Sequence, residues 1–191
     1  MAQPTSSSRS FAALALALAL ASSALPRVSA DAPIAADALL SLDGAAWTAQ
    51  SSAGGAAIAA AVPGDVVSDL AAAGVIREPW LDLTWRDEAG RWDLAAWTYS
   101  LSFPTPATWD KQDTALLIFD SIKMAADISL NGQAIGAATS QHLRYVFQVD
   151  TVLALPGDVN TLTVAFPPTV EDTRNDAGRF QGCSGGWDWA P

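Results

Sequence analysis

The chain has 191 residues, with 20 acidic side chains against 10 basic ones and a formal net charge of −10. The length suits one domain plus processing segments, and eight Trp with six Phe bury enough apolar surface to exclude disorder as the main state. The negative charge argues against nucleic acid and anionic membrane as partners, while one Cys and one His exclude a disulfide framework and a Cys-rich or His-cluster metal site, so neither metal nor cofactor is expected.

Residues 1–30 read as a secretory signal peptide. Arg9 is the only charge before the Ala/Leu run from Phe11 to Ala21. That run is too short to span a bilayer comfortably, which takes ~20 residues. Ser22, Ser23, Pro26 and Arg27 follow, then the small-residue tripeptide Val28-Ser29-Ala30, which places cleavage after Ala30. Removal deletes two Arg and no acid, leaving 8 basic against 20 acidic residues and a net charge of −12. The expected route is the secretory pathway, ending outside the cell or in a lysosome or vacuole, with no membrane contact after signal removal.

From Asp31 onward the pattern is mostly strand. Pro63-Gly64 interrupts it, and Asp65 can cap a helix over Asp65–Ala73 whose Val66, Val67, Leu70 and Ala71 share a face, with Gly74 at the left-handed terminating position. Thr98 to Phe103 alternates polar and apolar and stops at Pro104. Ala115 to Phe119 is a continuous apolar run, which predicts a central strand buried on both faces. Asp127 to Leu130, then Asn131-Gly132, then Gln133 to Gly136 reads as a two-residue hairpin, because both turn residues tolerate positive φ. Tyr145 to Val149 and Thr161 to Phe166 complete the series, with a turn over Pro156 to Asn160 between them. Short strands between turns, with one short helix, predict an all-β, jelly-roll β-sandwich over Ala35 to Val170.

Tryptophan usage is the unusual feature. Trp80, Trp85, Trp92 and Trp97 fall within eighteen residues, beside Arg86, Asp87, Glu88, Arg91 and Asp93. Aromatic faces next to hydrogen-bonding groups suit a sugar, whose apolar ring face stacks while its hydroxyls are bonded. Trp92 and Trp97 read instead as core residues, because Trp97 opens a strand and Trp92 sits a turn earlier.

Residues 182–191 place Asp188 between Trp187 and Trp189 on a glycine-rich segment with no strand pattern. In an extended stretch the two indoles share one side and the carboxylate the other, whereas a looped backbone can line one pocket with all three. A ligand site and a packed domain boundary are equally compatible with that spacing. Cys183 reads as a buried small hydrophobe, as one half of a pair outside this chain, or as a reactive thiol.

Taken in order, these segments resemble the N-terminal domain of β-mannosidases of the glycoside hydrolase 2 group. Ala61-Val62-Pro63-Gly64-Asp65-Val66 with Asp69-Leu70 is similar to their VPG opening, and Ile76 to Trp80 to their Ile-x-x-Pro stretch. Arg91-Trp92 with Trp97-Thr98-Tyr99 and Phe103, then Phe119-Asp120 through Leu130-Asn131-Gly132, continue the likeness, and Gly186 to Pro191 closely resembles the family's GWDWGP. Ser121, Lys123, Met124 and Ala190 depart from the usual residues, as does the missing Asn after the Ile-x-x-Pro stretch.

The resemblance implies a galactose-binding-like β-sandwich over 31–181 and a WDW active-site loop over 182–191. Immunoglobulin-like and (β/α)₈ domains would follow in a longer chain, and the barrel would act in cis. It implies a retaining, exo-acting glycosidase of β-mannosidase type, with terminal β-mannoside carbohydrate as the partner and Trp187, Asp188 and Trp189 as substrate-binding residues. No catalytic residue is expected in this stretch. Retaining hydrolysis needs two carboxyl groups ~5–5.5 Å apart, and Glu78, Glu88 and Glu171, its only glutamates, lie in no context resembling the family's catalytic motifs. The 191-residue chain alone is therefore expected to be inactive. Two alternatives stand beside this reading: a stand-alone carbohydrate-binding module, and a related exo-β-glycosidase such as an exo-β-glucosaminidase.

Overall fold

The computed structural model describes residues 39–168, apart from Met124 and the side chains of Ala45 and Trp85. The signal-peptide segment, Glu171, Cys183 and the Trp187-Asp188-Trp189 loop lie outside those residues. Eight strands and three short helices run in the order β1 (Gly44–Ser51), β2 (Ile58–Val62), α1 (Val66–Ala72), α2 (Thr84–Glu88), α3 (Gly90–Asp93), β3 (Trp97–Pro104), β4 (Leu116–Phe119), β5 (Ala126–Leu130), β6 (Gln133–Ala138), β7 (Tyr145–Gln148) and β8 (Val159–Phe166). A six-stranded sheet in the order β2-β1-β3-β8-β5-β6 forms one layer and the β4-β7 pair the other, every pairing antiparallel. The result is the all-β sandwich expected from the strand pattern.

Period-two alternation explains the core. Trp97 and Leu101 of β3, Ile128 and Leu130 of β5, and Leu162 and Val164 of β8 point inward, to meet Leu117 of β4 and Val149 after β7. The Asn131-Gly132 hairpin forms as expected, with φ of 52° and 78°, the left-handed pair that a two-residue turn of this hand requires. A bulge interrupts the β5–β6 register, where Ile128 faces Gly136 but Ser129 faces Ala134. The extra residue, Ile135, is turned into the core as a result. Gly136 is small for a reason: a Cβ there would collide with the ring of Phe147, which crosses from β7.

Helix α1 matches its expected span. The Asp65 carboxylate accepts from the Ser68 backbone N–H at 2.9 Å and from the Ser68 hydroxyl at 2.8 Å, and Gly74 ends the helix at φ 69°. Asp65→Ala should destabilise the domain by about 1 kcal/mol, with Asp65→Asn recovering most of it. Thermal melts of the two variants check this, and equal melting temperatures for wild type and Asp65→Ala would remove the cap from the account.

Three features differ from expectation. Among the described residues the Ala115–Phe119 run does not form a central strand: β4 pairs there with β7 alone, and of its residues Leu117 alone is buried. The run is apolar throughout because Leu117 enters the core while Ile118 and Phe119 line a cavity. Second, α2 and α3 join α1, as single-turn helices in a stretch whose charges and indoles have no clear period. Third, β1 and β2 carry no β-branched run. Alanine dominates both, and only the burial of Trp47, Ala49 and Ala60 marks them as sheet.

Candidate functional site

A cavity of about 730 Å³ lies among the described residues at one end of the sandwich. Six stretches build it: the start of β1, the β2–α1 turn, the segment between α1 and β3, the start of β3, the end of β4 with the β4–β5 connection, and the end of β8. Its walls are mostly apolar, with several aromatic side chains among them. Trp47, Trp92 and Trp97 contribute from the core side, while Trp80 stands at the rim with 63% of its surface exposed.

The turn that closes one side is rigid. Gly64 cannot be replaced without cost, because a Cβ there would run into the backbone carbonyl of Ala61. Asp69, buried on α1, accepts from the Ala61 N–H at 3.2 Å and from the Tyr99 hydroxyl at 3.1 Å, joining turn, helix and β3. The Tyr99 ring meets Phe166 edge-on at 5.9 Å, which ties in the end of β8. The Val62-Pro63-Gly64-Asp65 motif therefore forms one wall of the cavity, beyond capping a helix.

Polar groups on the rim are already engaged. Asp120 pairs with Arg144 at 2.7 Å, and the Ser121 hydroxyl donates to the Gln141 carbonyl at 2.7 Å. Both leave lone pairs for a further donor. Glu88, below the segment before β3, accepts from Arg77 Nε at 2.8 Å and lies 3.6 Å from Arg91 Nε. The Glu88 hydrogen bond, aided by nearby Asp87 and Asp82, raises the already high pKa of the Arg77 guanidinium, so that side chain remains cationic. Glu88 is thus an ion-pair hub with two arginines beside it. What this arrangement can do is bind or pack.

The aromatic cluster divides as the spacing suggests. Trp92 and Trp97 are core residues, 2% and 7% exposed, and Trp97 Nε1 donates to the Trp92 carbonyl at 3.2 Å. Trp80 is exposed at the rim, and the Trp85 side chain is outside the described set. Trp47, Asp120, Ser121 and Lys123 also line the cavity. Among them only Asp120 carried a sequence signal, through the family-like Phe119-Asp120 pair, whereas Ser121 and Lys123 stand where the family has other residues. Trp187, Asp188 and Trp189 cannot be placed relative to the cavity, because they lie outside the described residues.

Comparison with known proteins adds the wider context. The family model described as the glycosyl hydrolase 2 galactose-binding domain-like domain matches residues 47–191. A β-mannosidase of Rattus norvegicus is 35% identical over 113 residues, covering 59% of this chain and 12% of that protein. The crystal structure of a β-D-mannosidase from Dictyoglomus thermophilum superposes with a TM-score of 0.64 at 25% identity, over 79% of this chain and 18% of that one. A β-glucuronidase from Ruminococcus gnavus shares the fold at a TM-score of 0.52 and 23% identity, over 71% of this chain and 23% of its own. The chain thus spans less than a quarter of the length of each.

Proposed function

The chain belongs to the glycosyl hydrolase 2 galactose-binding domain-like family, and from that membership we propose that it is the N-terminal sugar-binding domain of a retaining, exo-acting β-mannosidase. The enzyme would remove terminal β-D-mannose from oligosaccharides or glycans, with a barrel in the same polypeptide holding both catalytic carboxylates. One observation carries the reading: the family match runs unbroken from Trp47 through the Trp187-Asp188-Trp189 segment, and the relatives it leads to are β-mannosidases several times longer. The engagement of Glu88 by two arginines supports placing the chemistry elsewhere.

The test separates the domain from the complete polypeptide. The purified 191-residue chain should give no turnover of an aryl β-mannoside, and the complete polypeptide should turn it over in preference to the β-glucuronide and the β-glucosaminide. Turnover by the isolated chain, lost on replacing one of its acids, would sink the proposal. A preference for either competing substrate would keep the domain assignment and replace the sugar. The apolar N-terminal run supports entry into the secretory pathway, and N-terminal sequencing of secreted product should begin at Asp31.

The aromatic cavity favours one second reading, a binding module without catalysis. That reading requires measurable mannoside binding by the isolated chain and no hydrolysis by any longer product.

A further inference from the structure

Asn131 and Gly132 carry the β5–β6 turn, and theirs is the one Asn-Gly pair in a sequence with three asparagines. An asparagine followed by glycine is the least durable setting for a side-chain amide. The glycine nitrogen has no neighbouring Cβ to hinder its approach to the side-chain carbonyl carbon, and a Cβ placed on Gly132 would meet nothing within 4 Å. Both residues are exposed, so burial does not keep water from the pair. The amide is nevertheless held from several directions. Asn131 extends the β5–β8 ladder: its backbone N–H donates to the Thr161 carbonyl at 2.8 Å, and the Thr161 N–H donates back to Oδ1 at 2.8 Å. The side-chain carbonyl thus stands where a main-chain carbonyl would stand in a longer strand, at the residue where a φ of 52° takes the chain out of the sheet. Nδ2 donates to the Val152 carbonyl at 2.8 Å and to Oδ1 of the fully buried Asn160 at 2.9 Å.

We propose that Asn131 is a deamidation site that the fold keeps shut, and that the bonds from its amide to Thr161, Val152 and Asn160 are what delays the reaction. In that reaction the Gly132 nitrogen gives its proton to water and bonds to Asn131 Cγ. The Cγ–Nδ2 bond breaks, and Nδ2 leaves as ammonia. Water then adds to one carbonyl of the resulting cyclic imide. Cleavage between the ring nitrogen and Cγ leaves aspartate, and cleavage between that nitrogen and the Asn131 main-chain carbonyl carbon leaves isoaspartate. Closing the ring makes Cγ tetrahedral and expels Nδ2, so both Nδ2 bonds must break and Oδ1 must leave the line of the Thr161 N–H. Either product then undoes the hold. A carboxylate has no hydrogen to offer the Val152 and Asn160 oxygens it would face, and isoaspartate adds a methylene to the backbone of a two-residue turn. An opening between the hairpin and β8 that lasts long enough for the reaction is therefore recorded irreversibly in the chain.

Peptide mass spectrometry of the 191-residue chain, aged at mildly alkaline pH with and without denaturing urea, tests the proposal. In urea Asn131 should deamidate ahead of Asn160 and Asn175, which precede Thr161 and Asp176. Its rate in buffer should be lower by about tenfold or more; tenfold is about 1.4 kcal/mol of barrier, the scale of one such hydrogen bond. Asn160→Ala removes one acceptor and should raise the rate at Asn131 in buffer by about tenfold, at a temperature where the variant is folded. Leu70→Ala, which opens a cavity behind α1 away from this network, should leave the rate near that of wild type. A further measurement needs no variant: as urea rises below the unfolding transition, deamidation of wild type should keep pace with hydrogen exchange of the Thr161 N–H. Equal rates in buffer and in urea overturn the proposal. So does deamidation of Asn131 while the Thr161 N–H stays protected, and so does equal acceleration by Asn160→Ala and Leu70→Ala, which would assign the protection to folding as a whole.

Discussion

Asn160→Ala should destabilise the sandwich by about 3 kcal/mol and lower its melting temperature by about 10 °C. Asn160, the second residue of β8, has no exposed surface and bonds through both ends of its amide. Nδ2 donates to Thr105 Oγ1 at 2.7 Å and to the Phe103 carbonyl at 3.4 Å, while Oδ1 accepts from the Ala154 N–H at 2.8 Å and from Asn131 Nδ2 at 2.9 Å. Asn131 in turn bonds the Thr161 N–H and the Val152 carbonyl, both at 2.8 Å, which locks the β5–β6 hairpin to β8. Removing the central amide strands the Ala154 N–H and weakens every other member, and an unsatisfied buried group costs about 1–3 kcal/mol. Asn160→Asp retains two acceptors but sets a carboxylate in place of the donor facing Thr105 and Phe103, so it should be at least as damaging. Thermal and urea denaturation decide the matter. A loss below about 1 kcal/mol would mean that water or backbone movement satisfies the stranded groups.

Asp188→Asn, in the complete polypeptide, should lower kcat/KM for an aryl β-mannoside by about ten- to a hundredfold. By the family resemblance this carboxylate is expected to bind the terminal sugar, accepting from its hydroxyls, and a charge-assisted hydrogen bond of that kind contributes ~1.5–3 kcal/mol. One factor of ten in rate is about 1.4 kcal/mol. The amide keeps the shape but turns one acceptor oxygen into a donor, so one such bond is lost and not the whole contact. If the contact tightens as the sugar ring distorts toward an oxocarbenium-like transition state, kcat falls along with the rise in KM. A carboxylate that only ties down the glycine-rich segment would behave differently, lowering the melting temperature together with the activity. An unchanged kcat/KM removes Asp188 from the sugar site.

The strands that could be read from sequence are those whose side chains alternate. The segments that became β3, β5 and β8 put apolar residues at every second position, because one face of a strand in a sandwich must be buried. The Asn131-Gly132 turn and the Asp65 cap were legible for a similar reason, since each is decided by local backbone chemistry within four residues. Strands β1 and β2 were harder, because alanine has little β preference and reaches the sheet through the neighbours that cover it. The apolar run of β4 differs from its expectation among the described residues, where it pairs with β7 alone. Continuous hydrophobicity reports burial on two sides, and it cannot distinguish a sheet above from a cavity below.

The candidate site divides along the same line. Sequence alone singled out the tryptophans and the Trp187-Asp188-Trp189 segment, because indoles flanking a carboxylate are unusual in any surface composition, and family resemblance supplied a use for them. Trp92 and Trp97 read as core from their place at the start of a strand and are buried, whereas the position of Trp80 at the rim was decided only by tertiary structure. The gathering of Asp65, Asp120, Ser121 and Pro167 around one cavity likewise has no signature in the chain, since these residues are up to a hundred positions apart. Local order is set by propensity and periodicity acting over a few residues. Proximity between distant segments depends on strand order and register, and those follow from how the two layers share one buried core.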